Sequence, residues 1–75
     1  MIRTFKLIRD VDVVGISGTG TVAEGAEFSE GDHTRVLLFW RGRFHTMEEH
    51  PDVATLLTLH GHGGNTRVVF DEDGG

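Results

Sequence analysis

The sequence predicts a small, mostly β domain (α+β): a bent antiparallel sheet or SH3-like barrel of about five strands, with one short helix before the last strand. Two observations lead to this prediction. Apolar and polar residues alternate in several short segments separated by glycine-rich turns, which is typical of strands. Near residue 51 the apolar spacing changes to that of a helix. An OB-fold and an open sheet crossed by one helix are the alternatives.

The first two strands are predicted on either side of a glycine-rich loop. Residues 3–9 alternate, with Phe5 on the inward side. Three glycines within residues 15–20 disfavour both helix and strand, so this segment is predicted to be a loop. Residues 21–29 read as the second strand, and Gly25 in its middle indicates a bulge or a sharp bend.

The strongest strand signal covers residues 34–41, after a turn at residues 30–32. Both of its sides are apolar: one holds Val36, Leu38 and Trp40, and the other holds Leu37 and Phe39. A strand of this kind is usually central in its sheet or covered by another element. We expect Trp40 in the core, because a small domain needs its large apolar area. Residues 41–43 then connect to a short fourth strand at 44–47.

A helix is predicted over residues 51–60. Its second residue, Asp52, suits the positive end of the helix dipole. One apolar side is formed by Val53, Leu56, Leu57 and His60. Gly61 is placed to end the helix in a left-handed conformation. The last strand is predicted at residues 66–70, and residues 71–75 form an acidic tail that we expect to be frayed, so that residues 1–70 make up one domain.

Composition excludes several classes of protein. Twelve acidic residues against seven basic ones give a net charge of −5, which disfavours nucleic acid as a partner. The absence of cysteine excludes disulfides and thiolate metal sites. The longest apolar run, residues 36–40, is far shorter than the ~20 residues that cross a bilayer. No secretory signal opens the sequence, so a cytoplasmic location without membrane contact is expected.

Five histidines raise the question of a metal site: His33, His45, His50, His60 and His62. His60 and His62 could share one ion, with His45 or His50 as a third ligand. The spacing matches no established zinc motif. We interpret His60 as closing the apolar side of the helix and His62 as part of a glycine turn, and we predict neither a metal nor a cofactor.

The two glycine-rich segments suggest an alternative function, the capture of a small anionic ligand such as a nucleotide. Backbone amides in such loops can form an anion-binding nest. The spacing lacks both the dinucleotide-binding pattern and a Walker lysine. The candidate residues for this alternative are Ser17, Gly18, Thr19, Gly20, His60 and His62.

No catalytic residue is predicted, and the protein is expected not to be an enzyme. Ser17 is not set in a nucleophile elbow, although Asp10, Asp12 and the histidines could be imagined as its partners. Chains of this size seldom enclose a pocket of several hundred cubic ångströms.

The main functional prediction is a small binding or adaptor protein that acts through protein–protein contacts. If Trp40 lies in the core, the other side of its strand stays apolar and flanked by arginines, which favours self-association or a protein partner. The candidate binding residues are Arg35, Leu37, Phe39, Arg41 and Arg43. In a homodimer, Arg35 and Arg41 would lie at the rim and meet Glu48, Glu49 or the acidic tail of the second copy.

The two glycine motifs also support a resemblance. The segments at residues 4–13, 15–20, 22–28 and 60–69 resemble small uncharacterised proteins of actinobacteria, their phages and haloarchaea. The likeness spans nearly the whole chain and departs most between residues 30 and 59. It implies a small protein carried by a phage or mobile element, and it implies no activity or catalytic residue.

Overall fold

The computed structural model describes residues 1–10, 19–41 and 45–71. The described elements are the strands β1 (Ile2–Arg9), β2 (Gly20–Glu30), β3 (His33–Trp40), β4 (Met47–His50) and β5 (Thr66–Phe70), with the helix α1 (Val53–His60) and a 3-10 turn (His62–Gly64) before β5. The mostly β class and the helix before the last strand are therefore confirmed. None of the described helices has the length and apolar character needed to cross a bilayer.

The strands form an antiparallel sheet in the order β4-β3-β2-β1-β5. β5 returns to pair with β1 rather than with β4, so β4 and β5 form opposite edges of the described sheet. The bent antiparallel sheet is confirmed, whereas the closed SH3-like barrel and the OB-fold are wrong. One helix after β4 leads the chain back across the sheet to the far edge.

One face of the sheet carries the core and is covered by α1. Residues paired across neighbouring strands share a face, so Phe5, Leu38 and their cross-strand partners lie together. The buried apolar residues are Phe5, Leu7, Val22, Ala23, Val36, Leu38 and Leu56. Leu56 is the contribution of α1, and Trp40 packs against this cluster as predicted. We call this side of the sheet the covered face.

The opposite side, which we call the open face, also carries apolar residues. Its apolar members are Ile2, Ile8, Ala26, Phe28, Leu37, Phe39, Met47 and Val69. Among the described elements, none packs against it. Phe39 is 40% exposed and Met47 is 61% exposed. β3 is thus central, as one of the two expectations had it, with β2 and β4 on either side of it, while no described element covers its open-face side chains.

Asp52 starts α1 as its N-cap. Its Oδ1 accepts a hydrogen bond of 2.7 Å from the backbone N–H of Thr55. The cap removes one unpaired donor at the start of a helix of only eight residues, which needs its sheet contacts to persist. The helix begins at Val53, two residues later than predicted.

Gly61 ends α1, but not in the predicted left-handed conformation. Its φ of −73° and ψ of −24° are helical, and its N–H donates to the carbonyl oxygen of Leu57 at 2.8 Å. A Cβ on Gly61 would collide with that oxygen, so glycine is needed here for close approach. The left-handed positions are Gly63 (φ 66°) and Gly64 (φ 98°), where the 3-10 turn leads into β5.

The fourth strand lies three residues later than predicted, at Met47–His50 instead of 44–47. Its two inward positions are the polar residues Glu48 and His50, so the apolar alternation did not mark it. Residues 42–44 of the predicted connection and strand lie outside the described residues, as do residues 15–18 of the predicted loop.

The irregularity in β2 lies at Val22 rather than at Gly25. The pairing of β1 with β2 shifts by one residue between Leu7 and Ile8, which leaves Val22 as the extra residue of a bulge. The bulge allows both Val22 and its neighbour Ala23 to be buried in the core.

Gly25 instead makes room for an aromatic ring. It pairs with Phe5, whose ring lies directly over it. A Cβ at this position would stand 2.7 Å from Cε1 of Phe5 and 2.8 Å from the carbonyl oxygen of Leu37. The same ring meets Phe70 edge-on at 5.7 Å, so Phe5 joins β1, β2 and β5.

Asp71, the first residue of the predicted frayed tail, is bonded to β1. Its Oδ2 accepts a hydrogen bond of 2.8 Å from the hydroxyl of Thr4, and its Oδ1 pairs with Lys6. These bonds and the charge of Lys6 hold the pKa of Asp71 below its usual value. Residues 72–75 lie outside the described residues.

We predict that Gly25→Ala lowers the free energy of unfolding by about 1–3 kcal/mol, because the added methyl group displaces the Phe5 ring. Urea unfolding followed by the fluorescence of Trp40, the only tryptophan, measures the change. Gly31→Asn is the matched control, since Gly31 has a φ of 59° and open space around it. This control is expected to cost less than about 0.5 kcal/mol. Equal stability of Gly25→Ala and the wild type would contradict the proposed packing.

Candidate functional site

A polar cluster lies on the covered face at the C-terminal end of α1. Its centre is Glu48, whose Oε1 is 3.0 Å from Nε2 of His50 and 2.9 Å from Nε2 of His60. The other carboxylate oxygen, Oε2, accepts a hydrogen bond of 2.9 Å from Nε1 of Trp40. We call these four residues the Glu48 cluster. It connects β3, β4 and α1 through one carboxylate.

Strand alternation places two members of the cluster side by side. In the pairing of β3 with β4, His50 lies opposite Val36 and Glu48 lies opposite Leu38. Both partners are core residues, so both side chains of β4 are on the covered face. His50 is consequently almost buried, with 8% of its side chain exposed.

Helical spacing brings in the third member. His60 lies four residues after Leu56, the buried residue of α1, and therefore on the same side of the helix. His60 therefore lies on the apolar side of the helix, where the sequence placed it. Its ring meets that of Trp40 edge-on at 5.0 Å and that of His50 edge-on at 5.7 Å.

Glu48 is held in its charged form. Burial by itself would raise the pKa of Glu48, but the hydrogen bonds from His50, Trp40 and His60 and the charge of His60 act the other way and are stronger together. The pKa of Glu48 therefore lies below its usual value. A carboxylate that faces two imidazoles can do one of two things: it accepts hydrogen bonds from their N–H groups, or it binds one cation together with their ring nitrogens.

Within the described part of the chain, histidine and carboxylate ligand atoms converge at this cluster. Oε1 or Oε2 of Glu48 and one ring nitrogen each of His50 and His60 all lie within 4.8 Å of one another. The ligand set considered from the sequence consists of His60 and His62, with His45 or His50 as a third ligand. The structure brings His60 and His50 together, while His45 stacks on Phe39 at 5.8 Å.

A second polar feature is Arg9, at the end of β1. Arg9 is 3% exposed, and its Nε donates a hydrogen bond of 3.0 Å to the hydroxyl of Thr66. Its cross-strand partners are Gly20 and Thr66, and the next residue, Asp10, donates its N–H to the carbonyl oxygen of Asn65. Gly20 and Thr66 therefore lie on either side of a buried guanidinium.

The residues predicted for an anionic ligand are only partly described. Ser17 and Gly18 lie outside the described residues, whereas Thr19 is exposed and Gly20 has a φ of 85°. His60 faces Glu48, and His62 belongs to the 3-10 turn before β5.

Four of the five residues predicted for protein binding are described, and these four share the open face. Leu37 and Phe39 lie between Arg35 at one end of β3 and Arg41 beyond the other. Nε of Arg35 is 3.1 Å from a carboxylate oxygen of Glu49, and Nε of Arg41 is 3.4 Å from one of Glu24. Arg43 lies outside the described residues.

One predicted contact of the dimer rim is wrong. Glu48 lies on the covered face, bonded to Trp40, so it is not available to Arg35 or Arg41 of a second copy. Glu49, its neighbour in β4, does lie on the open face, because successive residues of a strand point to opposite sides.

Two residues of these sites were not found from the sequence. Glu48 would have been found by placing a strand at residues 47–50, since alternation then puts Glu48 and His50 on one face. Arg9 could have been found from strand alternation, because it lies on the same side of β1 as the core residues Phe5 and Leu7.

Comparison with known families agrees with the phage origin suggested by the resemblance. The family model described as Acb5 phage protein matches residues 2–72. The chain belongs to the Acb5 phage protein family. The wider spread of the motifs to actinobacteria and haloarchaea stays a prediction. A search of the curated proteins and a search of the solved structures each give no match.

For this Acb5 family member, we predict that Glu48→Gln lowers the free energy of unfolding by about 1–2 kcal/mol at pH 7, because hydrogen bonds to a charged acceptor are weakened. The pKa of Glu48 is lowered by folding, so its stabilising contribution is present above the unfolded pKa and is lost as the pH falls through the folded one. The difference between variant and wild type should shrink below pH ~4.5.

Glu49→Gln is the matched control, since it removes the same charge from the next residue. Glu49 and Arg35 are both more than half exposed, so this change should cost less than about 0.5 kcal/mol. Urea unfolding at several pH values measures both variants. Equal losses for the two would show that the Glu48 cluster does not stabilise the fold.

Proposed function

We propose that this phage protein acts by binding a protein surface through the open face of its sheet, and that a second copy of the chain is the first occupant. The observation that carries the proposal is an apolar strip that runs diagonally over the open face, on which no described element packs. Its members are neighbours within or across strands: Met47, Phe39, Leu37, Ala26, Phe28 and Ile2. Phe39 and Met47 are 40% and 61% exposed, whereas Val69 is separated from the strip by Glu24 and Lys6. Contiguous apolar surface of this kind is typical of interaction sites.

The charges around the strip support a second copy as the occupant. Each described cation on this face lies beside a carboxylate: Arg35 beside Glu49, Arg41 beside Glu24, Lys6 beside Asp71, and Arg67 beside Asp10. A rim with both signs in alternation complements itself under two-fold symmetry, as a homodimer requires. The pairing also neutralises the cations that a nucleic acid would need.

The open face continues into a shallow depression at its end near the N-terminus. Ile2 and Phe28 supply apolar walls, and Arg35 stands at its edge. The volume of this depression is about 360 Å³. A side chain of a partner protein could insert into this depression, and such inserted side chains often contribute most of the binding energy of an interface.

We predict that the wild type elutes with the mass of a dimer in light scattering at ~100 μM and that Leu37→Glu shifts it to monomer, since a charge would be buried in the interface. Leu59→Glu is the matched control, because Leu59 is exposed on α1, away from the open face. A wild type with the mass of one chain would contradict the second copy as the occupant.

A second candidate function is the capture of a small anion at the Arg9 end of the sheet. Its support is that Gly20 and Thr66 pair with Arg9 from either side and that the buried guanidinium supplies positive charge. The left-handed Gly63 lies in the turn just before this pairing, and left-handed glycines allow backbone N–H groups to converge on an anion. A phosphate group of a nucleotide has the charge that such a site would bind.

We predict for this candidate that nucleotides at millimolar concentration raise the melting temperature of the wild type, because only the folded chain holds the anion. Arg9→Lys should lose most of this shift, since lysine lacks the fork of donors. Arg67→Gln is the control, because it removes an exposed cation that neighbours the same end. No shift with any nucleotide in the wild type would refute this candidate.

A further inference from the structure

The Glu48 cluster has the composition and spacing of a metal centre. Oε1 of Glu48 stands 3.0 Å and 2.9 Å from the two imidazole nitrogens, and the three ligand positions lie within 4.8 Å of one another. In a tetrahedral zinc site with bonds of about 2.0–2.2 Å, ligand atoms are about 3.3–3.6 Å apart. An ion would therefore be admitted if Oε1 of Glu48 moved a few tenths of an ångström away from the two nitrogens and any wider spacing, up to the 4.8 Å limit, closed towards this value.

We propose that Glu48, His50 and His60 bind a divalent transition-metal ion, with Zn²⁺ as the ion that fits best. Two imidazole nitrogens and one carboxylate oxygen form a common zinc ligand set. Magnesium and calcium prefer ligand shells made of oxygen alone, so these ions fit the site poorly. Thiolate-seeking ions find no ligand, because the chain has no cysteine.

The surroundings of the cluster hold the ligands in place. Nε1 of Trp40 donates to Oε2 of Glu48, which fixes the carboxylate with its other oxygen, Oε1, towards the two histidines. His50 is set on a strand and His60 on a helix, so neither depends on a loop for its position. Partners of this kind orient metal ligands and strengthen binding.

The cluster is partly exposed, so an ion could reach it from solvent and one coordination position would remain open. About a third of the Glu48 side chain and a quarter of the His60 side chain are exposed, whereas His50 is nearly buried. Three protein ligands leave a fourth position for water or for a ligand atom from outside. The site is thus of the open kind, distinct in place from both the open face and the Arg9 end.

Titration with CoCl₂ and ZnCl₂ tests the proposal on the full chain. Tetrahedral Co²⁺ gives a visible absorption band, and Trp40, the only tryptophan, reports binding through its fluorescence. We expect one equivalent of Co²⁺ to bind, Zn²⁺ to displace it, and both Glu48→Gln and His60→Gln to weaken binding at least about tenfold. His33→Gln, a change of the same kind at an exposed histidine in β3, should bind as the wild type does.

Nuclear magnetic resonance of the histidine side chains tests the proposal on the wild type, so it does not depend on whether a variant folds. With ZnCl₂ added to the wild type, the ring signals of His50 and His60 should shift and those of His33 should stay. A wild type without a Co²⁺ band at metal concentrations up to about 1 mM would overturn the proposal. The proposal would also be overturned if the His60→Gln variant bound Co²⁺ as tightly as the wild type. The same holds if Zn²⁺ shifted only the ring signals of other histidines.

Discussion

The structure depends on how one short helix covers one face of a five-stranded sheet. Eight residues of helix are about 12 Å long, whereas five strands span about 19 Å. The helix can therefore bury only a limited core, which Leu56 completes from its side. Everything else on the sheet must be satisfied by polar contacts or stay open. This limit explains why a polar cluster lies at one end of the helix and an apolar strip lies uncovered on the other face.

The sequence located the strands whose inward residues are apolar and misplaced the one whose inward residues are polar. β1, β3 and β5 alternate around residues such as Phe5 and Leu38, so their bounds were close to those observed. In β4 the inward positions are Glu48 and His50, and a pattern search for apolar residues placed the strand three residues too early. A polar pair on the inward side of a strand gives no apolar alternation, so a search for apolar residues does not find it.

The glycines show a second limit of sequence reasoning. Left-handed turns were expected at Gly61 and a bulge at Gly25, yet both residues serve close approach. At Gly25 the neighbour is the ring of Phe5, and at Gly61 it is a carbonyl oxygen of the same helix. The contact of Gly25 joins residues far apart in sequence, and that of Gly61 depends on how the helix ends. Composition alone therefore does not tell whether a glycine is needed for close approach or for a left-handed turn.

Neighbouring residues of β4 serve the two faces of the sheet: one belongs to the polar cluster on the covered face and the next to an ion pair on the open face. In β4, Glu48 contributes to the cluster on the covered face while Glu49 pairs with Arg35 on the open face. β4 is an edge strand of four residues, paired only with β3 in the described sheet. Short edge strands open more readily than central ones, so contacts on either side contribute to keeping β4 in place. Any ligand that orders the Glu48 cluster would therefore also order Met47 and Glu49, because they lie in the same short strand at the rim of the open face.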